Sequence, residues 1–395
     1  MFDLNSGPLR AALGRRAFLG VSAATVAVLA AACAKDSTEA HADGPTFTYT
    51  PSGDEPIGPL TPVSVTVAGG TFRPGVGLKN TATGKQVKVT VSPDGATVTV
   101  AEPLGYGAKY AWSGVADGEG GTFAGLDGKV SVVSPDRTMS VVINVADDAT
   151  VGIAAPLILK FSGTVEDKAA VEKALKVTTV PATEGAWAWL PEDNGSRAHW
   201  RPRNYYAPGT KVSMKGTLYG LDHGDGVYGA ADVSSSFTVG RSQIVKASAP
   251  SHRIRVMRGD QVYLDLPCSY GEADLPRNVT RSGIHVVSEK HEDFYMSNPA
   301  AGYFNVRERF AVRISNNGEF IHANPATVGN QGATNVTNGC INLSLEDAQR
   351  YFQSAIFGDP VEVTGTSIAL SEADGDIYDW TIDWPTWLSM SALKK

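Results

Sequence analysis

The stretch Phe320-Ile321-His322-Ala323-Asn324-Pro325, continued by Ala326-Thr327-Val328-Gly329-Asn330-Gln331-Gly332 and closed by Thr337-Asn338-Gly339-Cys340-Ile341-Asn342-Leu343-Ser344, decides the reading of this chain. A short apolar strand runs into His322, a Gly- and Asn-rich loop follows, and a second apolar strand leaves Cys340. Ser344-Leu345-Glu346-Asp347 is then a capping box of the S-x-x-D kind and opens a helix. That helix places Ala348, Tyr351, Phe352, Ala355 and Ile356 on one face, and Gly358-Asp359-Pro360 stops it. His322 and Cys340 therefore stand at element ends, where side chains can converge. A free thiol near pKa ~8.5 is only a few per cent thiolate at pH 7, so a cysteine nucleophile needs a base, usually histidine. Gly339 can adopt backbone angles that turn successive N–H groups toward one point, as a main-chain oxyanion hole requires. Spacing alone leaves two readings open: a catalytic pair, or a small buried thiol near an unrelated imidazole.

Outward from that stretch, the 395 residues are enough for two or three domains. With 42% hydrophobic and 19% charged residues the chain is neither disordered nor a membrane bundle, and 42 Gly with 22 Pro implies many turns and short strands. The formal charge of −7 provides no overall basic field to hold nucleic acid. Period-2 runs such as Val63-Ser64-Val65-Thr66-Val67, Thr97-Val98-Thr99-Val100 and Ser140-Val141-Val142-Ile143-Asn144-Val145 mark β-sandwich modules. The fold is expected to be mainly β: a flexible tether over 34–55, sandwich modules over 56–135 and 136–240, a β-rich domain over 241–366, and a tail over 367–395 packed on that last domain. Within the second module, Val171, Ala174 and Leu175 repeat at helical spacing, predicting one helix over 165–175. The tail carries Trp380, Trp384 and Trp387, which suit a packed anchor.

The start of the chain reads as an export signal. Arg10, Arg15 and Arg16 form a positive segment, Ala17 to Ala32 is small and apolar, and polar residues follow Cys33. The run of about 16 residues is short for a spanning helix, which needs about 20. Arg15-Arg16-Ala17-Phe18-Leu19 resembles the twin-arginine motif and Leu29-Ala30-Ala31-Ala32-Cys33 a bacterial lipobox, although Leu29 stands four residues before Cys33 where three is usual. The resemblance implies a signal peptide with its lipobox cysteine over 1–33, cut before Cys33, a diacylglycerol on the Cys33 sulfur, and a protein held at the outer face of the cytoplasmic membrane. An ordinary cleaved signal and an uncleaved anchor stay open; all three place the protein outside the cytoplasm.

The segment from His322 to Asn342 resembles the active-site signature of the L,D-transpeptidases, the YkuD family: His, 14 to 17 residues, Ser/Thr-His-Gly-Cys, an apolar residue, then Asn. Here fourteen residues separate His322 from Thr337, and Asn338, Gly339, Cys340, Ile341 and Asn342 follow. A lipidated signal, two immunoglobulin-like modules, a catalytic domain and a Trp-bearing tail extend the resemblance over nearly the whole chain. It implies a cysteine acyltransferase that forms 3→3 cross-links between peptidoglycan stem peptides through a thioester, releasing D-alanine. Carbapenem β-lactams would acylate the same cysteine. Cys340 would be the nucleophile and His322 the base, its second ring nitrogen donating to the Ala323 carbonyl. The N–H groups of Gly339 and Cys340 would form the oxyanion hole, and Tyr303 would line the donor site. Asn342 would touch substrate or hold the turn. Asn338 departs from the family histidine and cannot carry a proton. An L,D-carboxypeptidase using the same thioester, and a silent wall-binding lipoprotein, are the competing readings.

Other features point elsewhere. Cys268 reads as a buried structural thiol, with a regulatory disulfide to Cys340 as the alternative. Gly224-Asp225-Gly226-Val227-Tyr228-Gly229 lacks a following helix and reads as a turn, and Ser391-Ala392-Leu393-Lys394 lies at the extreme terminus, where nothing pre-organises it. The remaining histidines show no ligand spacing, so neither a metal nor a cofactor is expected.

Overall fold

Alternation of β-branched and polar residues builds the first two modules. In Ser64–Ala68 the side chains of Val65 and Val67 turn inward while Thr66 and Ala68 face out, and Lys211–Gly216 buries every second residue in the same way. The computed structural model describes residues 44–393 except 376. The export segment, the lipidation expected at Cys33 and the tether up to residue 43 lie outside the described residues. The first module packs a four-stranded sheet against two three-stranded ones around Val65, Leu78, Val98, Leu104 and Trp112. The second faces two four-stranded sheets across a core that includes Leu157, Leu159, Trp187, Trp189, Trp200, Val212 and Phe237.

Two expectations about boundaries are corrected. The tether over 34–55 ends too late, because Thr46–Thr50 pairs antiparallel with Ser64–Ala68 as part of the first module. Its Thr-Phe-Thr-Tyr-Thr run has the β-branched and aromatic alternation of a strand, which outweighs the flanking Pro and Gly. The helix over 165–175 is shorter, Lys168–Ala174, capped by the Asp167 carboxylate accepting from Ala170 N at 2.9 Å. Leu175 already begins the next strand.

The third region carries the elements that matter below: β1 (Ile244–Ser248), β2 (Arg253–Arg258), β3 (Gln261–Pro267), β4 (Gly283–Val286), β5 (Glu289–Asn298), β6 (Tyr303–Arg313), β7 (Phe320–Ala323), β8 (Ile341–Leu343), α1 (Leu345–Ser354) and β9 (Pro360–Thr364). One sheet has the order β3-β2-β1-β9-β4 and the other β5-β6-β7-β8. Ala348 and Tyr351 of α1 enter the core between them, with Ile254, Leu266, Cys268, Ile321, Ile341 and Leu343. The Ser344 hydroxyl caps α1 by accepting from Asp347 N at 3.1 Å.

The tail packs mainly on the second sandwich, not on the catalytic domain as expected. Its first part does touch the latter, with Leu370 N donating to Ser282 O at 2.7 Å and Arg281 pairing with Asp374. Beyond Tyr378 it covers the outer face of the sheet containing Gly185–Leu190 and Arg197–Pro202. Trp187 and Trp189 point into the sandwich, so Ala186, Ala188 and Leu190 point outward and would otherwise be an exposed apolar strip. Trp387 fills that strip and donates from Nε1 to Ala186 O at 3.0 Å. Arg201, outward on the neighbouring strand, lies over Trp380, Trp384 and Trp387 at 4.8, 5.3 and 4.5 Å. His199 pairs with Asp379 at 3.0 Å, both fully buried.

Trp387→Ala should therefore remove a fully buried ring and cost about 3–5 kcal/mol. Chemical denaturation followed by tryptophan fluorescence measures it, and a loss below about 1 kcal/mol would show that the tail is not integral to the fold.

Candidate active site

His322 and Cys340 are brought together by the parallel pairing of β7 with β8, in which His322 stands opposite Asn342. Cys340 is the residue immediately before β8, and its side chain acts on the His322 ring. The sulfur is also 3.5 Å from Gly318 O. His322 Nδ1 is 3.0 Å from Ala323 O and 3.0 Å from Glu308 Oε2, which leaves Nε2 to face the sulfur. Nδ1 must carry the proton, because a carbonyl and a carboxylate both accept. Burial alone would push the ring pKa down, but the hydrogen bonds to Cys340 and Glu308, with their charges, carry it up to about 10. These contacts favour the protonated ring beside the sulfur.

Thr337 shapes the turn that presents Cys340. Its hydroxyl donates to Cys340 O at 2.6 Å and accepts from Gly339 N at 3.2 Å, while Thr280 Oγ1 donates to Gly339 O at 2.7 Å. Gly339 has φ +116°, which only glycine adopts without strain. The Gly339 N–H is already engaged by Thr337, whereas the Cys340 N–H has no acceptor among the described residues.

Cys340 opens into a cleft of about 540 Å³ lined by Tyr303, Asn338, Phe294, Met296, Gly318 and Arg277 among others. Tyr303 and Asn338 thus lie where the sequence suggests, and the Asn338 side chain has no hydrogen-bond partner among the described residues. Asn342 and Ala323 do not line the cleft. Asn342 is 3% exposed behind His322 and donates to Thr327 Oγ1 at 3.4 Å, so its place is in the scaffold. Ala323 is buried and contributes its carbonyl alone. Cys268 lies in the hydrophobic core, where burial pushes its thiol up to about 12. Among the described residues no group of three His, Cys, Asp or Glu side chains is placed to hold a metal.

Sequence reasoning missed Glu308. The run Arg307-Glu308-Arg309 reads as an ordinary solvated strand face. The register between β6 and β7 slips between Arg309 and Val312, where Phe310 takes φ +52°. Such a bulge re-aims a side chain beside a site, and no local composition signals it.

Residues 242–363 match the YkuD family, described as the L,D-transpeptidase catalytic domain, and residues 54–222 match the bacterial Ig domain. L,D-transpeptidase 5 of Mycobacterium tuberculosis is 57% identical over 88% of this chain and 77% of its own length. The chain belongs to the L,D-transpeptidase family. L,D-transpeptidase 2 of the same species is 32% identical over 84% of this chain and 81% of its own. A crystal structure of L,D-transpeptidase 3 from M. tuberculosis with a faropenem-derived adduct is 26% identical over 57% of this chain and 98% of that one, with a TM-score of 0.45.

In this L,D-transpeptidase, Glu308→Gln should lower the His322 pKa from about 10, and NMR titration of the imidazole reads it directly. The folded value lies above the ordinary ~6.5, so the stabilisation is complete below pH ~6.5 and is lost as pH rises through about 10. In the variant that loss begins at lower pH. A His322 titration unchanged by the substitution would show that Glu308 does not act on the ring.

Proposed function

We propose that this chain is a peptidoglycan L,D-transpeptidase that forms 3→3 cross-links, with Cys340 as nucleophile and His322 as the proton carrier. The observation that carries the reading is the buried His322, oriented through Nδ1 and set against a cysteine that opens into a cleft. An imidazolium beside a sulfur favours the thiolate, the form that attacks a carbonyl. The Cys340 sulfur bonds to the carbonyl carbon of the third stem residue, and the oxyanion develops toward the Cys340 N–H. The bond to D-alanine breaks as His322 gives its proton to the departing amine, leaving a thioester. The acceptor amine then attacks the thioester and yields a proton to His322; collapse restores the sulfur and completes the new amide. Ala323 O and Glu308 keep the ring oriented through both steps.

Asn338 replaces the histidine of the family signature, and the reading survives the change because every proton transfer above runs through His322. Asn338 keeps donor and acceptor groups at the cleft, where they can orient substrate. An enzyme of the wall acts outside the cytoplasm. Anchoring through a lipidated Cys33, export by the twin-arginine route, and the use of the two sandwich modules as a spacer belong to the same proposal.

Intact-mass analysis after incubation with a carbapenem tests it, because that strained amide is an electrophile for the thiolate. A single adduct is expected, absent in Cys340→Ala, together with D-alanine release from a tetrapeptide stem and dimer formation. Release without dimers would point to the carboxypeptidase. No adduct and no release would leave only a silent wall-binding domain, and Asn338→His would then show whether the missing histidine is the cause.

A further inference from the structure

Beside Gly318, where the cleft meets the Cys340 sulfur, stands a buried group of ionisable side chains that the reaction above does not use. Glu319 joins Gly318 to β7, is 3% exposed and forms part of the cleft lining. It ties together the loop over 314–319. Glu319 O accepts from Ile314 N at 3.0 Å, Glu319 N donates to Asn317 Oδ1 at 3.2 Å, and Oε1 accepts from Arg281 N at 2.7 Å. Within that loop Gly318 takes φ +100°, and its carbonyl accepts from the Cys340 sulfur at 3.5 Å. One short segment thus meets the sulfur and leads directly through β7 to His322.

The charged neighbours of Glu319 find their partners elsewhere. Arg281 Nε donates to Asp374 Oδ1 at 2.9 Å, and its Nη1 donates to the carbonyls of Pro276 and Val279. Arg313, paired in register with Phe320, donates to Glu289 at 3.0 Å. His285, fully buried on β4, has Nε2 2.8 Å from Arg281 O, so Nε2 carries a proton. Its Nδ1 is 3.7 Å from Glu319 Oε2, beyond hydrogen-bond reach.

Ser315 decides the protonation of Glu319. Its hydroxyl contacts Asn317 Oδ1 and, at 2.9 Å, Glu319 Oε2. The Asn317 amide cannot be turned round, because Nδ2 donates to Asp374 Oδ1 at 3.1 Å while Oδ1 accepts from Glu319 N. One hydroxyl proton cannot serve two acceptors. The closer contact, to Asn317, takes it, so the Glu319 carboxyl must be the donor to Ser315 Oγ. Burial acts in the same direction, pushing that carboxyl above its ordinary pKa against the pull of His285.

We propose that Glu319 is a neutral carboxylic acid whose proton, donated to Ser315, locks the loop over 314–319 and makes Glu319 a positioning residue for the Gly318 carbonyl and the Cys340 sulfur. The positioning role rests on the transpeptidase reading above; the protonation state does not.

Full-length protein tests both parts. Infrared difference spectra of the wild type against Glu319→Gln at neutral pH should show the carbonyl band of one protonated carboxyl, absent from the variant. With the folded value raised above the ordinary 4.5, the stabilisation is complete below that pH and is lost as pH rises through the folded value. Glu319→Gln has no such proton to lose, so its melting temperature should gain about 2 °C or more on the wild type between about pH 5 and pH 7. Glu319→Ala removes the lock, and kcat for D-alanine release should fall about tenfold with less change in KM. Glu319→Gln keeps a donor for Ser315 and an acceptor for Arg281 N, and should recover most of that loss. A missing band, or a Gln variant that loses stability against the wild type as pH rises, would show an ionised Glu319 and overturn the proposal. Equal kcat in the wild type and Glu319→Ala would overturn the positioning role while leaving the reaction intact. Absence of release by the wild type would overturn the reaction and the positioning role with it, while the infrared band would still report the proton.

Discussion

The proton on His322 Nδ1 is the constraint around which the site is organised. A buried imidazole loses hydration when it is charged, and burial accordingly opposes the cation here. Nδ1 is met on one side by the Ala323 carbonyl and on the other by the Glu308 carboxylate, each at 3.0 Å. The carbonyl fixes the tautomer, since it can only accept. The carboxylate adds the negative charge that a buried imidazolium needs. Together they leave Nε2 one neighbour of consequence, the Cys340 sulfur.

Placing that sulfur is a problem of backbone geometry, and the solution is local. The pairing of β7 with β8 sets His322 level with Asn342, two residues past Cys340. The nucleophile must therefore be reached by a turn that folds back toward the ring. Thr337 ties both ends of the turn with one hydroxyl, and the left-handed Gly339 lets the chain reverse between them. The cost is that the Gly339 N–H is occupied, which leaves the Cys340 N–H as the donor open to a developing oxyanion.

What could be read from the residues follows from the range of each signal. Alternation in runs such as Ser64–Ala68, the Ser344 cap of α1, and the Cys340–His322 pairing are short-range or motif-borne, and they stand in the structure where the sequence places them. Glu308 was not legible because its aim depends on a bulge at Phe310, where a one-residue slip reverses which face a side chain serves. The tail's partner was not legible for a related reason. The inward tryptophans Trp187 and Trp189 draw attention, while the small outward residues Ala186 and Ala188 form the surface that receives Trp387. His199 and Arg201 are buried beneath that cover.

Asp359, just after α1, is fully buried, and burial raises its carboxyl pKa against the opposing pull of Arg241. Arg241 Nη2 lies 2.7 Å from it, Gln243 donates at 3.1 Å and Ile356 N at 3.0 Å. From the second sandwich, Gly152 N donates to Phe357 O at 2.7 Å and Ala154 N to Gly358 O at 2.9 Å, while Ala155 presses on Gly358 closely enough to exclude a side chain there. A cut near residue 240 would strip backbone partners from the turn that ends α1, and only Ser344 separates α1 from the strand leading from Cys340. The second sandwich is therefore a structural part of the catalytic unit, and any reach it gives the enzyme is added to that role.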